Sequence, residues 1–202
     1  MKILGLILAA GFSSRMGDFK PLLLFENKTF IINIIEKLNS CCDRIFIVVG
    51  FNKDSLIQNV NGELEPQLRN KIILIENTHY SEGMFSSIQA GLHEMDTYLA
   101  DDDYVILHLI DQPHIPLYVY EKLVEVANRE RSEIIIPSYN MKAGHPIVFS
   151  KKIVEQVLAS SVTSNLKKII QQNKDSIHYL NVDNEQIIQD VDTQKDKEEF
   201  LS

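Results

Sequence analysis

The stretch LILAAGFSSRMGDFK stands near the start of the chain. Its apolar run empties into Ala9, Ala10 and Gly11, small residues that leave backbone amides bare enough to approach an anion closely. Arg15 then adds a planar fork of donors and Lys20 a point charge, the parts of a phosphate cradle. The spacing is neither that of a P-loop nor G-x-G-x-x-G. A solvated loop carrying two surface cations is the other reading of the same residues. Asp111, in LHLIDQPHI, ends a second apolar run. A carboxylate there, opposite a phosphate cradle, suits a divalent cation that bridges phosphate oxygens. A turn-initiating or helix-capping aspartate is the alternative. In QDVDTQKD, Asp190 and Asp192 flank Val191, so an extended strand sets both on one face. An acidic surface end, continued by Asp196, Glu198 and Glu199, explains them equally. In YSEGMFSSIQAGL, Gly83 introduces a helix whose first turn carries Ser86 and Ser87. Free amides and hydroxyls there can hold a base edge or a ribose, or Ser can serve as an ordinary cap.

These residues need elements to position them. Ile3–Leu8 is a short apolar run closed by Gly11 and reads as a buried strand. Residues 29–38 place Ile31, Ile34, Ile35 and Leu38 on one helical face. Arg44–Val49 is a second strand closed by Gly50, and Asp54 is a candidate cap for a helix over 55–60. A strand is expected over 71–75, a helix over 86–95, a strand over 104–110 and a helix over 117–128. Further strands fall at 133–136 and 146–149, and helices at 151–160 and 162–171. Strands at 177–182 and 187–191 precede a helical tail. Residues 59–70, with Gly62 and Pro66, read as a surface loop. Strands alternating with helices point to one α/β domain over 1–202 with a mostly parallel sheet. Ligands of open α/β sheets sit beyond the carboxyl ends of the strands, where each of the groups above lies.

Composition limits the partners. A net charge of -8 on 202 residues argues against broad nucleic-acid or acidic-membrane binding, so an anion site must be a local basic island. The N-terminal apolar run is too short for a membrane span or a signal-peptide core. The two cysteines, Cys41 and Cys42, are adjacent and fit no metal, redox or disulfide spacing, which suits ordinary thiols in a reducing cytoplasm.

Five segments together resemble a known family. LILAAGFSSRMGDFK is similar to the signature L-A-A-G-x-S-x-R-M-G-x-x-K of nucleotidyltransferases related to molybdenum cofactor biosynthesis, the MobA-like NTP transferases. EGMFSSIQAGL resembles their second nucleotide-binding segment, DQP at 111–113 their metal-binding turn, AGHPIVF their Gly-His-Pro segment, and DVDTQKD their terminal Asp-Ile-Asp-Thr-Pro-Glu-Asp. The order is the family's and covers nearly the whole chain. The resemblance implies a Rossmann-like three-layer, glycosyltransferase-A-like fold. It assigns nucleotide contacts to Leu8, Ala9, Ala10, Gly11, Ser13, Arg15, Lys20, Gly83, Ser86 and Ser87. Arg15, Lys20 and Asp111 become the catalytic groups, Asp111 and Asp192 the ligands of Mg²⁺, and Gly144 and His145 the acceptor contacts. A structural histidine beside Pro146 remains the alternative for His145. Gln194 and Lys195 depart from the family's Pro and Glu, which bears on the second metal ligand. Ala10, where guanylyl-transferring relatives carry Gly, leans toward CTP.

The implied reaction is attack of a molybdopterin phosphate on the α-phosphorus of CTP with loss of pyrophosphate, and a molybdenum hydroxylase is an implied client. Two other readings stand beside it. One is a cytidylyl- or uridylyltransferase for a sugar or polyol phosphate, whose base-binding segment usually has Arg where this chain has Met84 and Phe85. The other is a non-catalytic cofactor-insertion chaperone.

Overall fold

The computed structural model describes residues 1–12, 18–193 and 196. A buried first strand, β1 (Ile3–Leu8), is followed by a 3₁₀ turn at Lys20–Leu22 and by a small antiparallel hairpin of β2 (Leu24–Phe25) and β3 (Lys28–Thr29). Then come α1 (Phe30–Asn39), β4 (Arg44–Val49), α2 (Lys53–Glu63), the single turn α3 (Pro66–Arg69) and β5 (Ile72–Glu76). The chain continues through α4 (Met84–Asp96), β6 (Tyr104–Leu109), α5 (Leu117–Glu130), β7 (Ile134–Tyr139), β8 (Lys142–Ala143) and β9 (Ile147–Ser150). It closes with α6 (Lys151–Leu158), α7 (Leu166–Gln172) and β10 (Ile177–Asn181).

Among the described residues the main sheet runs β10-β7-β9-β6-β1-β4-β5, with β8 on β7. β1 pairs in parallel with β4 on one side and β6 on the other. β9 alone enters antiparallel on the main path, between β6 and β7. Side chains alternate across β1: Ile3 and Ile7 join an apolar cluster with α1, α2 and α5, whereas Leu4, Leu6 and Leu8 join another with α4 and α6. Helices on both faces of a mostly parallel sheet make three layers. No helix among the described residues is long and apolar enough to cross a membrane.

Four expectations are corrected. The stretch 59–70 is largely helical: α2 continues to Glu63, with open space where a Gly62 side chain would stand. Pro66 opens α3, where a missing amide costs nothing. Asp54 does not cap α2. Asn52, in the left-handed conformation, holds the cap position; its side chain caps no helix amide and instead accepts the Ser55 hydroxyl at 2.8 Å. The helix expected from 162 begins at Leu166, because Asn165 accepts the Lys168 amide and so fixes the first turn there. The strand expected over 187–191 is instead a 3₁₀ turn, Glu185–Ile188, followed by an extended segment. The Ile187 carbonyl takes the His145 amide, a tertiary partner rather than a strand neighbour.

Candidate active site

β1 and β6 lie side by side with Leu8 opposite Leu109. From β1 the chain builds β4 and β5 on one side, then returns to lay β6 on the other. The strand order therefore switches between β1 and β6, and the loops after these strands diverge to leave a crevice. A cleft of about 350 Å³ occupies it, lined by Leu8, Ala9, Gly11, Lys20, Asp111 and the start of α4.

Ala10 is buried, and its carbonyl accepts the Phe51 amide. The Ala9 amide is committed to the Val48 carbonyl. The first loop is thus anchored on β4 before it enters the cleft. Phe12 stands half-exposed at the cleft wall with its ring edge-on to Tyr80, 5.0 Å between centroids. Ser13 and Arg15 lie outside the described residues.

Lys20 starts the 3₁₀ turn whose second residue is Pro21, and the Leu23 amide bonds its carbonyl. The side chain is 9% exposed. Its Nζ is 2.5 Å from Asp192 Oδ1 and 3.5 Å from Asp111 Oδ2. Burial raises the Asp111 carboxyl to about 6, Lys20 pulls it down, and Asp190 and Asp192 push it up. Asp111 Oδ1 is buried and has no hydrogen-bond partner. The helix-capping reading of Asp111 fails, since Pro116 holds the cap position of α5, five residues on.

The turn that carries Asp111 is pinned from several sides. The Val191 amide donates to the Asp111 carbonyl at 2.9 Å. Gln112 Nε2 donates to Asp190 Oδ1 at 2.7 Å. Lys37 Nζ donates to the Pro113 carbonyl, and His114 Nε2 donates to the Gln186 carbonyl at 3.1 Å. Below it, wholly buried His108 accepts the Tyr120 hydroxyl at Nε2 and gives its Nδ1 proton to the Leu109 carbonyl, at 2.6 and 2.7 Å. Burial drives its pKa down to about 3, so the ring stays neutral. Asp190 and Asp192 do not act as a pair: one holds Gln112, the other Lys20.

Gly83 precedes α4 at φ 105°, a conformation that side chains resist, and its carbonyl accepts both the Ser86 amide and hydroxyl. The His79 carbonyl lies 3.0 Å from the same hydroxyl and shares its one proton. Asn77 Nδ2 donates to both Ser86 Oγ and Ser87 Oγ at 3.0 Å, which leaves Ser87 facing the cleft. Asn77 was missed in the sequence, although it lies just beyond β5, where the carboxyl-end rule directs attention. Phe12 and Tyr80 were missed because aromatic residues in loops carry no spacing signal.

A second cavity of about 560 Å³, mostly apolar, adjoins the first across Met84 and Leu109 and is lined by Gly144 and His145. A side chain at Gly144 would stand 2.4 Å from the Ile187 carbonyl oxygen, so the bare backbone is required there. Burial lowers the His145 pKa and Asp190 raises it, while Nδ1 is buried without a partner.

The donors fit a hard cation. Asp111 and Asp192 offer carboxylate oxygens, and the orphaned Asp111 Oδ1 has capacity to spare. Among the described residues there is no cluster of three or more His, Cys, Asp or Glu suited to a metal. Water or a ligand's own oxygens must then complete any coordination shell.

A family model for the MobA-like NTP transferase domain matches residues 5–177. The molybdenum cofactor cytidylyltransferase of Escherichia coli K12 is 28% identical over 192 residues, 95% of this chain and 91% of its own. The crystal structure of Rv0371c from Mycobacterium tuberculosis superposes with a TM-score of 0.78 at 22% identity, covering 100% of this chain and 97% of that one. A second structure of that protein, a complex with manganese, gives 0.73 at 20% identity over 100% and 98%.

Proposed function

Because the chain belongs to the MobA-like NTP transferase domain family, we propose that it transfers CMP from CTP to the terminal phosphate of a molybdopterin-type acceptor. The observation that carries this reading is the meeting of Lys20, Asp111 and Asp192 with the first turn of α4 in one crevice. That set suits a triphosphate and its cation. The length-spanning likeness to a cytidylyltransferase supports the choice of base.

An acceptor phosphate oxygen attacks the α-phosphorus, the bond from that phosphorus to the α,β-bridging oxygen breaks, and pyrophosphate leaves with the electron pair. The attacking oxygen is already anionic, so no general base is needed. The protein must screen one anion from another and hold them in line. Lys20 supplies positive charge to the triphosphate, with Arg15 assigned beside it. Gly83 and Met84, at the start of α4, line the cleft, where the helix end favours negative charge. Ser87, held by Asn77, meets the ribose or base. Asp111 and Asp192 would hold Mg²⁺, which would supply positive charge against the phosphate oxygens. Gly144 and His145, at the second cavity, receive the acceptor, and neutral His145 is a donor or acceptor there rather than a charge. The cytoplasm is the compartment in which CTP is at hand, and a molybdenum hydroxylase is the fitting client for the product.

Pyrophosphate release with each of the four nucleoside triphosphates, with and without molybdopterin, tests the reading. CTP with molybdopterin is expected to give the highest turnover. Equal or faster turnover with GTP under competition overturns the choice of base. Turnover with a sugar phosphate instead of molybdopterin overturns the acceptor. Binding without turnover favours a chaperone.

A further inference from the structure

We propose that Lys20 is the resident counterion of the metal site: its ammonium occupies the place of the divalent cation between Asp111 and Asp192 and must leave it for the triphosphate before the cation enters. The inference rests on the reading of this crevice as a metal–triphosphate site and adds the order in which its charges move.

Two features carry it. First, the Lys20 ammonium lies 2.5 Å from Asp192 Oδ1 and 3.5 Å from Asp111 Oδ2, so one cation bridges two carboxylates, one from the middle of the chain and one from near its end. A cation ligated by both carboxylates would compete directly with the ammonium for their charge. Second, Lys20 also lines the cleft shared by Gly11 and the start of α4. Its backbone is fixed in the 3₁₀ turn beside Pro21, while the flexible four-carbon stem lets the ammonium swing between the carboxylates and the cleft.

The electrostatic consequence is a coupling. With no triphosphate present, a divalent cation that displaces Lys20 takes both carboxylates from a nearly buried ammonium and repels it, so the bare cation binds weakly. A triphosphate gives that ammonium a new partner and vacates the carboxylates. Each ligand therefore strengthens the other, and the coupling is reciprocal because it is a free energy. The device keeps the site electrically satisfied when no substrate is bound and admits the metal together with the nucleotide.

The test uses Mn²⁺ alone and CTP alone on the whole protein. Mn²⁺ binding is followed by the electron paramagnetic resonance signal of the free ion, without nucleotide. Metal-free CTP binding is followed calorimetrically in a chelator. Lys20→Met is expected to bind bare Mn²⁺ roughly tenfold tighter or more than the parent, because a repelling like charge has gone. The same variant is expected to bind metal-free CTP more weakly. Lys20→Arg keeps the bridging charge and is expected to stay near the parent in Mn²⁺ affinity. Lys20→Gln repeats the measurement if the Met variant does not fold, with far-ultraviolet circular dichroism as the check. Mn²⁺ affinity in a folded, uncharged variant that is equal to or weaker than the parent's overturns the proposal, since a merely structural lysine predicts that loss. Failure of the parent to bind CTP would instead count against the nucleotidyl-transfer reading, and the Mn²⁺ arm would still decide the role of Lys20.

Discussion

Asp111→Asn is expected to make the metal-free protein more stable while it destroys turnover. Asn keeps the shape of the side chain and removes its charge. Burial, opposed by Lys20, raises the Asp111 carboxyl from an ordinary 3.8 to about 6. An acid whose pKa is raised on folding is held protonated more firmly in the native state. Its contribution to stability is therefore present below 3.8 and is lost as pH rises through about 6. Across that gap, at about 1.36 kcal/mol per pH unit, holding the carboxylate ionised costs the fold on the order of 3 kcal/mol. The side chain is 22% exposed, and solvent relaxes part of the penalty. An effective gain of about 1–3 kcal/mol for the Asn variant above pH 7 is the expectation. At about 2–4 °C per kcal/mol for a domain of this size, the melting temperature rises by several degrees. The gain shrinks below pH 6 and vanishes near pH 4. Melting curves in a chelator at pH 4, 6 and 8, run beside pyrophosphate release, measure both effects. Turnover should fall by roughly 10²-fold or more, the scale of losing one main electrostatic group. An Asn variant that melts at or below the parent at pH 8, or that keeps its activity, refutes the argument.

His108→Gln is expected to flatten the loss of stability in acid. The native ring titrates near 3, so between about 6.5 and 3 the unfolded chain binds a proton that the fold refuses. Stability then drops as pH falls, by up to about 1.4 kcal/mol per pH unit from this residue, and urea midpoints between pH 6 and 4 read the slope. Gly144→Ala should drive the Ile187 carbonyl out of place, cost about 1–3 kcal/mol, and lower turnover by loosening the segment that carries Asp190 and Asp192. A melt and a turnover assay on the same sample check it.

The sequence carried the buried strands well. Ile3–Leu8 and Arg44–Val49 were read to the residue, because central strands covered on both faces become continuous apolar runs. It misled where a local signal had two meanings. Gly62 and Pro66 look like loop residues, yet Gly62 faces open space on a helix and Pro66 occupies a first-turn position. Residues 187–191 look like a strand, but among the described residues no strand pairs with them. The alternating pattern also hid a hairpin as short as β2–β3. In the site, residue types marked Lys20, Asp111 and Asp192 as charged and well placed. That Lys20 bridges two acids 91 and 172 positions away is a property of the fold alone. Asn77 and the Phe12–Tyr80 pair act through packing partners, which composition does not encode.

The last 3₁₀ turn and the strand of chain behind it make the site depend on the whole fold. Val191 is fully buried against Phe30 and bonds the Asp111 carbonyl through its amide, so the segment that carries Asp190 and Asp192 is tied to the turn that carries Asp111. Lys20 comes from the first connection, Asp111 from the switch point and Asp192 from the end of the chain. None of the three can reach its charge partner until β1, β6 and this final segment are in place. The nearly buried ammonium and the half-strained carboxyl are costs to stability, offset by apolar clusters on both faces of the sheet. The site is therefore set where the sheet opens but the core beneath it is complete, and its electrostatic strain is available for ligands of opposite charge to relieve.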